Sequence, residues 1–360
     1  MKGKISAVQF FAIIFLCRMT EFFTYIAPRK TTVLPSDRLF VVLFFMLFCA
    51  ITLIPALYMS KKYGGSVPSL ARESSKTLGA ITALVYMAAF IWSAAESVSR
   101  FELFISTVMF PDTDINIITA FLLLSASFAA AKGTEASGRV SVTVLVVLAC
   151  SFVFILFTSL SNFDIVNFSP FLYNGMSAAL SDGFSSASHT WEILFFATML
   201  PFVTGNVAKT AVGWLVSFSA VAFAGFFVIE GVTGIYGERQ MFKLYTLTVL
   251  AKLGVLERFD DVLIGIWVLC ELIKTSFCFL AASKAFGDGF GRKAPKYFYP
   301  VLSVAVFGVF LAAASSVERF AAIADSVPVK LAFYFCAVVL PLTVLLSKNF
   351  TERRKTAKYA

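Results

Sequence analysis

The chain has 360 residues, of which 59% are hydrophobic and 14% charged, with 42 phenylalanines and a formal net charge of +9. Soluble domains run at about 45–50% apolar and about 25% charged residues, so the composition excludes an ordinary soluble enzyme and reads as one polytopic membrane domain over 1–360. The basic residues gather in alternate short loops, the topology signal of a membrane protein, so the positive charge does not imply a nucleic-acid partner.

The first apolar stretch, Val8–Pro28, is long enough to cross a bilayer. Arg18 and Glu21 sit near its middle with Thr20 and Thr24 beside them. A charge at that depth costs several kcal/mol unless it faces a partner or a cavity, so this helix is expected to face inward. About ten membrane helices are expected, near 8–27, 38–59, 80–109, 115–131, 139–160, 190–205, 208–235, 260–286, 297–316 and 329–347, with no strand pattern competing. The third and eighth exceed one span and should tilt or project. The sixth, Trp191–Asn206, is short and interrupted by Pro201 and Gly205, and a charged first helix matched by a broken sixth points to a transporter-type central site.

Between the spans, Gly65–Leu78 reads as a short surface helix. Glu238–Leu256 reads as an interfacial amphipathic helix with Arg239, Lys243 and Lys252 on its polar face, or as a cap on an outer vestibule. Asn162–His189 is expected to form the longest outer loop, and no signal peptide with a small-residue cleavage site is expected. Lys and Arg are about twice as frequent in loops on the amino-terminal side, which places both termini in the cytoplasm; Arg29, Lys30 and Arg38 dissent, and Tyr58, Tyr63 and Tyr173 are interfacial candidates.

Three buried charge pairs could carry chemistry. Arg18 and Glu21 offer a guanidinium for a carboxylate and a carboxylate for an ammonium, or else form a self-neutralising pair. Glu96 and Arg100, i and i+4 with the acid first, favour a structural pair, and Glu102 follows on another face. Glu271 and Lys274 form a third pair, with a proton-linked carboxylate as the alternative. Glu192 and Glu230 lie nearer span ends, where reaching toward headgroups is cheap. Pro201 and Gly205 free backbone groups, and Thr198 and Thr204 could bond freed carbonyls or a ligand. Glu257, Arg258, Asp260 and Asp261 complement the start of the eighth helix. The six cysteines lie in apolar stretches without metal-type spacing, and His189 is the only histidine, so no metal, cofactor, disulfide or catalytic triad is expected, and no enzymatic activity.

KISAVQF at Lys4–Phe10, KGTEASGR at Lys132–Arg139, LPFV at Leu200–Val203 and LERFDDVLIGIWV at Leu256–Val268, with Lys274 beyond, resemble the endospore germination permease family. Its best-known members are the B subunits of spore germinant receptors, within the amino acid–polyamine–organocation superfamily. The resemblance implies an all-α integral membrane fold of two inverted five-helix repeats (LeuT-type), the first about 8–160 and the second about 190–347, with a cytoplasmic tail 348–360 and interrupted first and sixth helices. It implies a nutrient-sensing subunit in the spore inner membrane or cell membrane, with A-type and lipoprotein C-type partners and a small ligand such as an amino acid. The ligand would lie between the first, third, sixth and eighth helices, against Arg18, Thr20, Glu21, Thr24, Glu96, Arg100, Thr198, Pro201, Gly205, Glu271 and Lys274. The rival readings are a proton-coupled amino acid or amine transporter using Glu21, Glu96 or Glu271, and a water- or ion-conducting scaffold subunit. The family's first-helix glycine is missing from Leu16–Phe22, where Arg18 could replace the backbone donors.

Overall fold

The computed structural model describes residues 4–24, 37–170, 172, 174–237, 239–253, 256–257, 260–295, 297–313 and 317–359. The expectations for Arg29, Lys30, Tyr173 and Arg258 lie outside these residues.

The Lys4–Phe10 motif is a helix start. Strand β1 (Ile5–Ser6) leads into α1 (Ala7–Phe23), where the Ser6 hydroxyl accepts from the Gln9 amide and the Gln9 side chain accepts from the Ser6 amide. This capping box satisfies two amides that a helix start leaves free. Helix α1 then runs unbroken through Leu16–Phe22 to the Thr24 cap, whose amide donates to the Thr20 carbonyl. The expected interruption of the first helix is therefore absent here. With no glycine or proline in the stretch and its polar side chains met by neighbouring helices, the backbone has no reason to unwind.

Helix α2 (Arg38–Tyr63) ends at Gly64 in the left-handed conformation, and α3 (Val67–Ser74) is the expected short helix, capped by Ser66 and burying Val67, Leu70 and Ala71. Helix α4 (Lys76–Phe104) continues into a π-turn at Ile105–Met109; α5 (Ile115–Ala131) and α6 (Thr134–Ser159) follow. Gly138 of α6 lies so near α1 that a Cβ there would sit 3.0 Å from the Gln9 Cβ, which ties the KGTEASGR motif to the start of α1.

The stretch expected as an outer loop instead contains α7 (Gly175–Ser188). Its small residues give it low hydropathy but allow close approach: a Cβ on Gly183 would lie 2.4 Å from the Phe44 Cβ of α2. After a break at 189–192 come α8 (Ile193–Met199), a 3-10 turn Leu200–Phe202 holding Pro201, and β2 (Val203–Thr204). The helical run is thus interrupted before α8 as well as after it.

Strands β1 and β2 pair in parallel, Ile5 opposite Val203, and the Thr204 hydroxyl donates to the Ile5 carbonyl at 3.2 Å. Gly205 then turns the chain into α9 (Val207–Gly237) with φ +116. Helix α10 (Lys243–Leu250) follows, then a second short pair, β3 (Lys252–Leu253) with β4 (Leu256–Glu257). These two pairs correct the all-helical expectation. The chain closes with α11 (Asp260–Phe290), α12 (Phe298–Ala313), α13 (Val317–Ala324), α14 (Val327–Tyr334), a π-turn Phe335–Val339 and α15 (Leu340–Tyr359). The expected tail is thus a continuation of helix.

Among the described residues six helical stretches are long and apolar enough to cross a membrane, and Ile115–Ala131 and Phe298–Ala312 are shorter apolar helices. The protein is a membrane protein. In α11 72% of the apolar window is buried and in α6 only 28%, so α11 lies at the centre and α6 at the rim. Phe121, Leu124, Phe128, Val153 and Phe157 stand exposed on the outer faces of α5 and α6, an apolar surface suited to lipid.

Candidate functional site

Spacing on three helices aims charge at one place. Arg18 and Glu21 lie three apart on α1, Glu96 and Arg100 four apart on α4, and each pair shares a helix face. Lys274 comes from α11 and Glu192 from the break before α8. Lys274 Nζ donates to Glu21 Oε1 at 2.7 Å and lies 2.9 Å from Glu192 Oε1. Arg100 reaches Glu96 Oε1 at 2.8 Å and Glu21 Oε2 at 3.4 Å. Arg18 lies 4.0 Å from Glu192 Oε2. Three cations (Arg18, Arg100, Lys274) thus meet three carboxylates (Glu21, Glu96, Glu192). Burying any of these charges alone would cost several kcal/mol, and mutual neutralisation removes most of that cost.

This geometry corrects several expectations. Arg18 and Glu21 do not pair with each other within α1 but across to other elements. Glu271 and Lys274 form no ion pair: Glu271 accepts from Ser97 at 2.7 Å and from Thr275 at 3.1 Å. Glu192 and Glu230 do not reach for headgroups, both being fully buried. Glu230 meets Arg38 at 3.2 Å and Lys243 at 3.3 Å, so Arg38 is an interior charge at the head of α2 and Lys243 is not on a water-facing side of α10. Glu96–Arg100 is the within-helix pair that forms as spaced.

His189, at the break, ties the network together. Its Nδ1 lies 2.9 Å from Glu96 Oε1 and its Nε2 3.1 Å from Asp325 Oδ1, in the turn between α13 and α14. A neutral imidazole has one N–H, so donating to both carboxylates requires the imidazolium. Trp191 Nε1 donates to Glu96 Oε2 at 3.1 Å, and Arg18 Nη1 donates to the His189 carbonyl at 3.1 Å. Burial pushes the Asp325 carboxyl up, but the His189 hydrogen bond and charge, with Lys330 and Arg100, outweigh it and hold it below the usual range.

A cavity of about 130 Å³ opens beside this network. A single water needs about 10–15 Å³ measured this way, so there is room for a small solute. Arg18, Glu21 and Arg100 line it together with Arg38, Asp182, His189, Asp325 and a wall of Phe22, Phe45, Phe218 and Phe226. The Arg18 guanidinium lies 5.0 Å from the Phe45 ring centre and 5.6 Å from that of Phe218. Its Nε has no hydrogen-bond partner. A guanidinium held by rings, one carbonyl and a carboxylate no nearer than 4.0 Å keeps donors for a planar anion.

Other expected residues stand elsewhere. The Thr20 and Thr24 hydroxyls donate to the Cys17 and Thr20 carbonyls, and Thr198 donates to Leu194 within α8. Pro201 and Gly205 lie where β2 meets the start of α1; a Cβ on Gly205 would sit 3.0 Å from the Ala7 Cβ. Glu271 joins the centre only through Ser97, whose hydroxyl lies 3.4 Å from that of Thr20. Sequence reading misses His189, Glu192, Asp182 and Asp325 as site groups. The one signal for the first three is their run of charge and imidazole around a Gly- and Ser-rich stretch that reads as loop. Among the described residues no group of three His, Cys, Asp or Glu side chains could hold a metal ion.

Comparison with solved structures finds a mutant of a manganese transporter from Eremococcus coleocola. It is 9% identical, with a TM-score of 0.50 over 96% of this chain and 77% of that one, which is a likeness of fold. No curated protein sequence matches. Residues 4–319, nearly the whole chain, match the family of spore germination proteins called spore permeases. The chain, with its buried charges gathered on α1, α4, α11 and the break before α8, belongs to the spore germination permease family.

Proposed function

We propose that this permease is the nutrient-sensing subunit of a germination receptor and that its cavity takes a small carboxylate-bearing solute such as an amino acid. The observation that carries the reading is Arg18: buried at 7% exposure, facing the cavity between two phenylalanine rings, with Nε unpartnered. Every other cation of the central network has a carboxylate within 3.4 Å. A ligand carboxylate would bond Arg18, and an ammonium would turn to Asp182 and Asp325, which also line the cavity. By bonding Arg18 it would compete with the His189 carbonyl and Glu192, and so bias the break between α7 and α8. A ligand shifts a conformation only by binding two states unequally, and this contact supplies the difference.

The helices read as ten spans in two inverted repeats, with α7 and α8 as halves of the sixth and the second repeat beginning at Gly175. In that reading both termini are cytoplasmic, the A-type and lipoprotein C-type subunits are the partners, and the spore inner membrane is the site of action. A proton-coupled transporter is the second reading. It is favoured by the β1–β2 contact, a two-residue seal between the start of α1 and the end of the sixth segment that could open.

The test is a thermal-shift screen of detergent-purified protein against amino acids and their des-amino carboxylates, repeated with Arg18→Ala. At a ligand concentration one hundred times Kd the expected stabilisation is about 2.7 kcal/mol for wild type, lost in the variant. Equal stabilisation of both proteins would refute the site. Uptake of the stabilising compound into proteoliposomes under a pH gradient, above that of empty vesicles, would decide for transport over sensing.

A further inference from the structure

Two buried carboxyls stand apart from the neutralised network. Glu102 of α4 is fully buried, and neither of its oxygens has a hydrogen-bond partner. No described cation pairs with it. Its polar neighbour is Thr119 of α5. The Thr119 hydroxyl already donates its one proton to the Ile115 carbonyl at 2.9 Å, so it can meet Glu102 only as an acceptor. Thr119 thus offers no proton to an ionised Glu102, whereas a protonated Glu102 could donate to it. Phe101 and Phe104, its neighbours in α4, pack on Trp267 of α11 with ring centres 5.8 and 4.3 Å away, so α4 and α11 are tightly joined at this level.

Glu271 of α11, whose charge reaches Glu102, is the second carboxyl. It is 1% exposed and held by the hydroxyls of Ser97 and Thr275. Lys274, one turn on, is committed to Glu21 and Glu192. The other titratable groups facing this pair are Cys270 on its own helix and Glu21 on α1, neither of them a cation. Lys274 still acts on Glu271, but an ionised Glu102, buried with no cation paired to it and with the Glu271 charge acting on it, would cost several kcal/mol in this setting.

We propose that Glu102 and Glu271 form a proton-binding site between α4, α5 and α11, with Glu102 carrying the proton in this conformation. The proton comes from water and returns to it; no bond other than the carboxyl O–H forms or breaks. Helix α1 meets the site through the Glu21 carboxylate, whose charge acts on Glu271, and through the Thr20 hydroxyl, which lies 3.4 Å from the Ser97 hydroxyl that donates to Glu271. Proton occupancy is therefore coupled to the position of the helix that carries the cavity cation, and coupling of this kind acts in both directions.

Infrared spectroscopy of the purified protein at neutral pH tests it. The wild type should show the carbonyl stretch of a protonated carboxyl, and Glu102→Gln should lose that intensity while Glu135→Gln, on the exposed face of α6, should not. A wild-type spectrum without the band, or a band untouched by Glu102→Gln, would overturn the assignment. The amide copies a neutral carboxyl, so Glu102→Gln should melt at or above the wild-type temperature. A clear fall in its midpoint would mean that an ionised Glu102 was being stabilised, against the proposal. Sodium chloride should stabilise the protein no more than choline chloride; a sodium-specific gain abolished by Glu271→Gln would make this an alkali-cation site instead.

Discussion

Helix α1 and the α7–α8 segment build the centre from opposite resources. Helix α1 is continuous, so its backbone groups are used within the helix and only side chains can reach outward: Arg18 and Glu21 do so, buried at 7% and 8% exposure. The α7–α8 segment is broken at 189–192 and supplies backbone as well as side chains: the His189 carbonyl to Arg18, the His189 ring to Glu96 and Asp325, and Glu192 to Lys274. The two meet at Arg18 Nη1 and the His189 carbonyl. A helix without a glycine break can still frame a central site if charged side chains replace the missing amides and a second element neutralises them.

The largest effect is expected where α1 meets α11. Lys274→Met strips Glu21 and Glu192 of their shortest cation contacts and should cost about 3–5 kcal/mol, because carboxylates are left buried without compensation. Thermal unfolding in detergent measures it; a loss below that of Lys330→Met, whose ammonium is half-buried 3.7 Å from Asp325, would contradict the network. From the broken segment, His189→Gln keeps at most one of the two carboxylate contacts and should cost about 1.5–3 kcal/mol, the worth of hydrogen bonds to charged groups. A midpoint equal to wild type would show that the imidazole does not hold α4 to the α13–α14 turn. Next is Gly205→Ala, expected at about 1–2 kcal/mol because φ +116 is a conformation side chains resist and Ala7 stands in the way; an unchanged midpoint would show that the turn adapts. Smallest is the pH effect of Asp325, which is half exposed. Its folded carboxyl titrates below the unfolded value of about 3.9, so its stabilising share is present above that pH and disappears as pH falls through the folded value. Asp325→Asn should flatten the acid limb of the unfolding midpoint against pH, and a limb as steep as that of wild type would remove His189–Asp325 from the account.

Local features are legible in the sequence. Helix α5 reads as 115–131, the bounds observed, because a continuous apolar run needs no partner to declare itself. Glu96–Arg100 is legible because one helix fixes both ends. The depth of Arg18 and Glu21 announces an inward-facing helix. What escapes are features decided by other elements. Lys274 finds Glu21 across 253 positions of chain, not Glu271 three residues away, because α11 turns the two side chains to different neighbours. Glu192 and Glu230 sit near element ends in sequence, where water or headgroups would ordinarily be in reach, but the fold encloses both. Helix α7 reads as loop because its alanines, serines and glycines suit close packing on α2 and contribute little hydropathy.

The most direct measurement is a double-mutant cycle on Glu21 and Lys274. Glu21→Gln and Lys274→Met, singly and together, would be compared by unfolding midpoint and converted to free energies on one scale. If the two charges neutralise each other across α1 and α11, the double variant costs less than the sum of the singles by roughly 0.5–3 kcal/mol. Additive losses would mean that the pair is not coupled, and the account of a self-neutralised centre that leaves Arg18 for a ligand would be wrong.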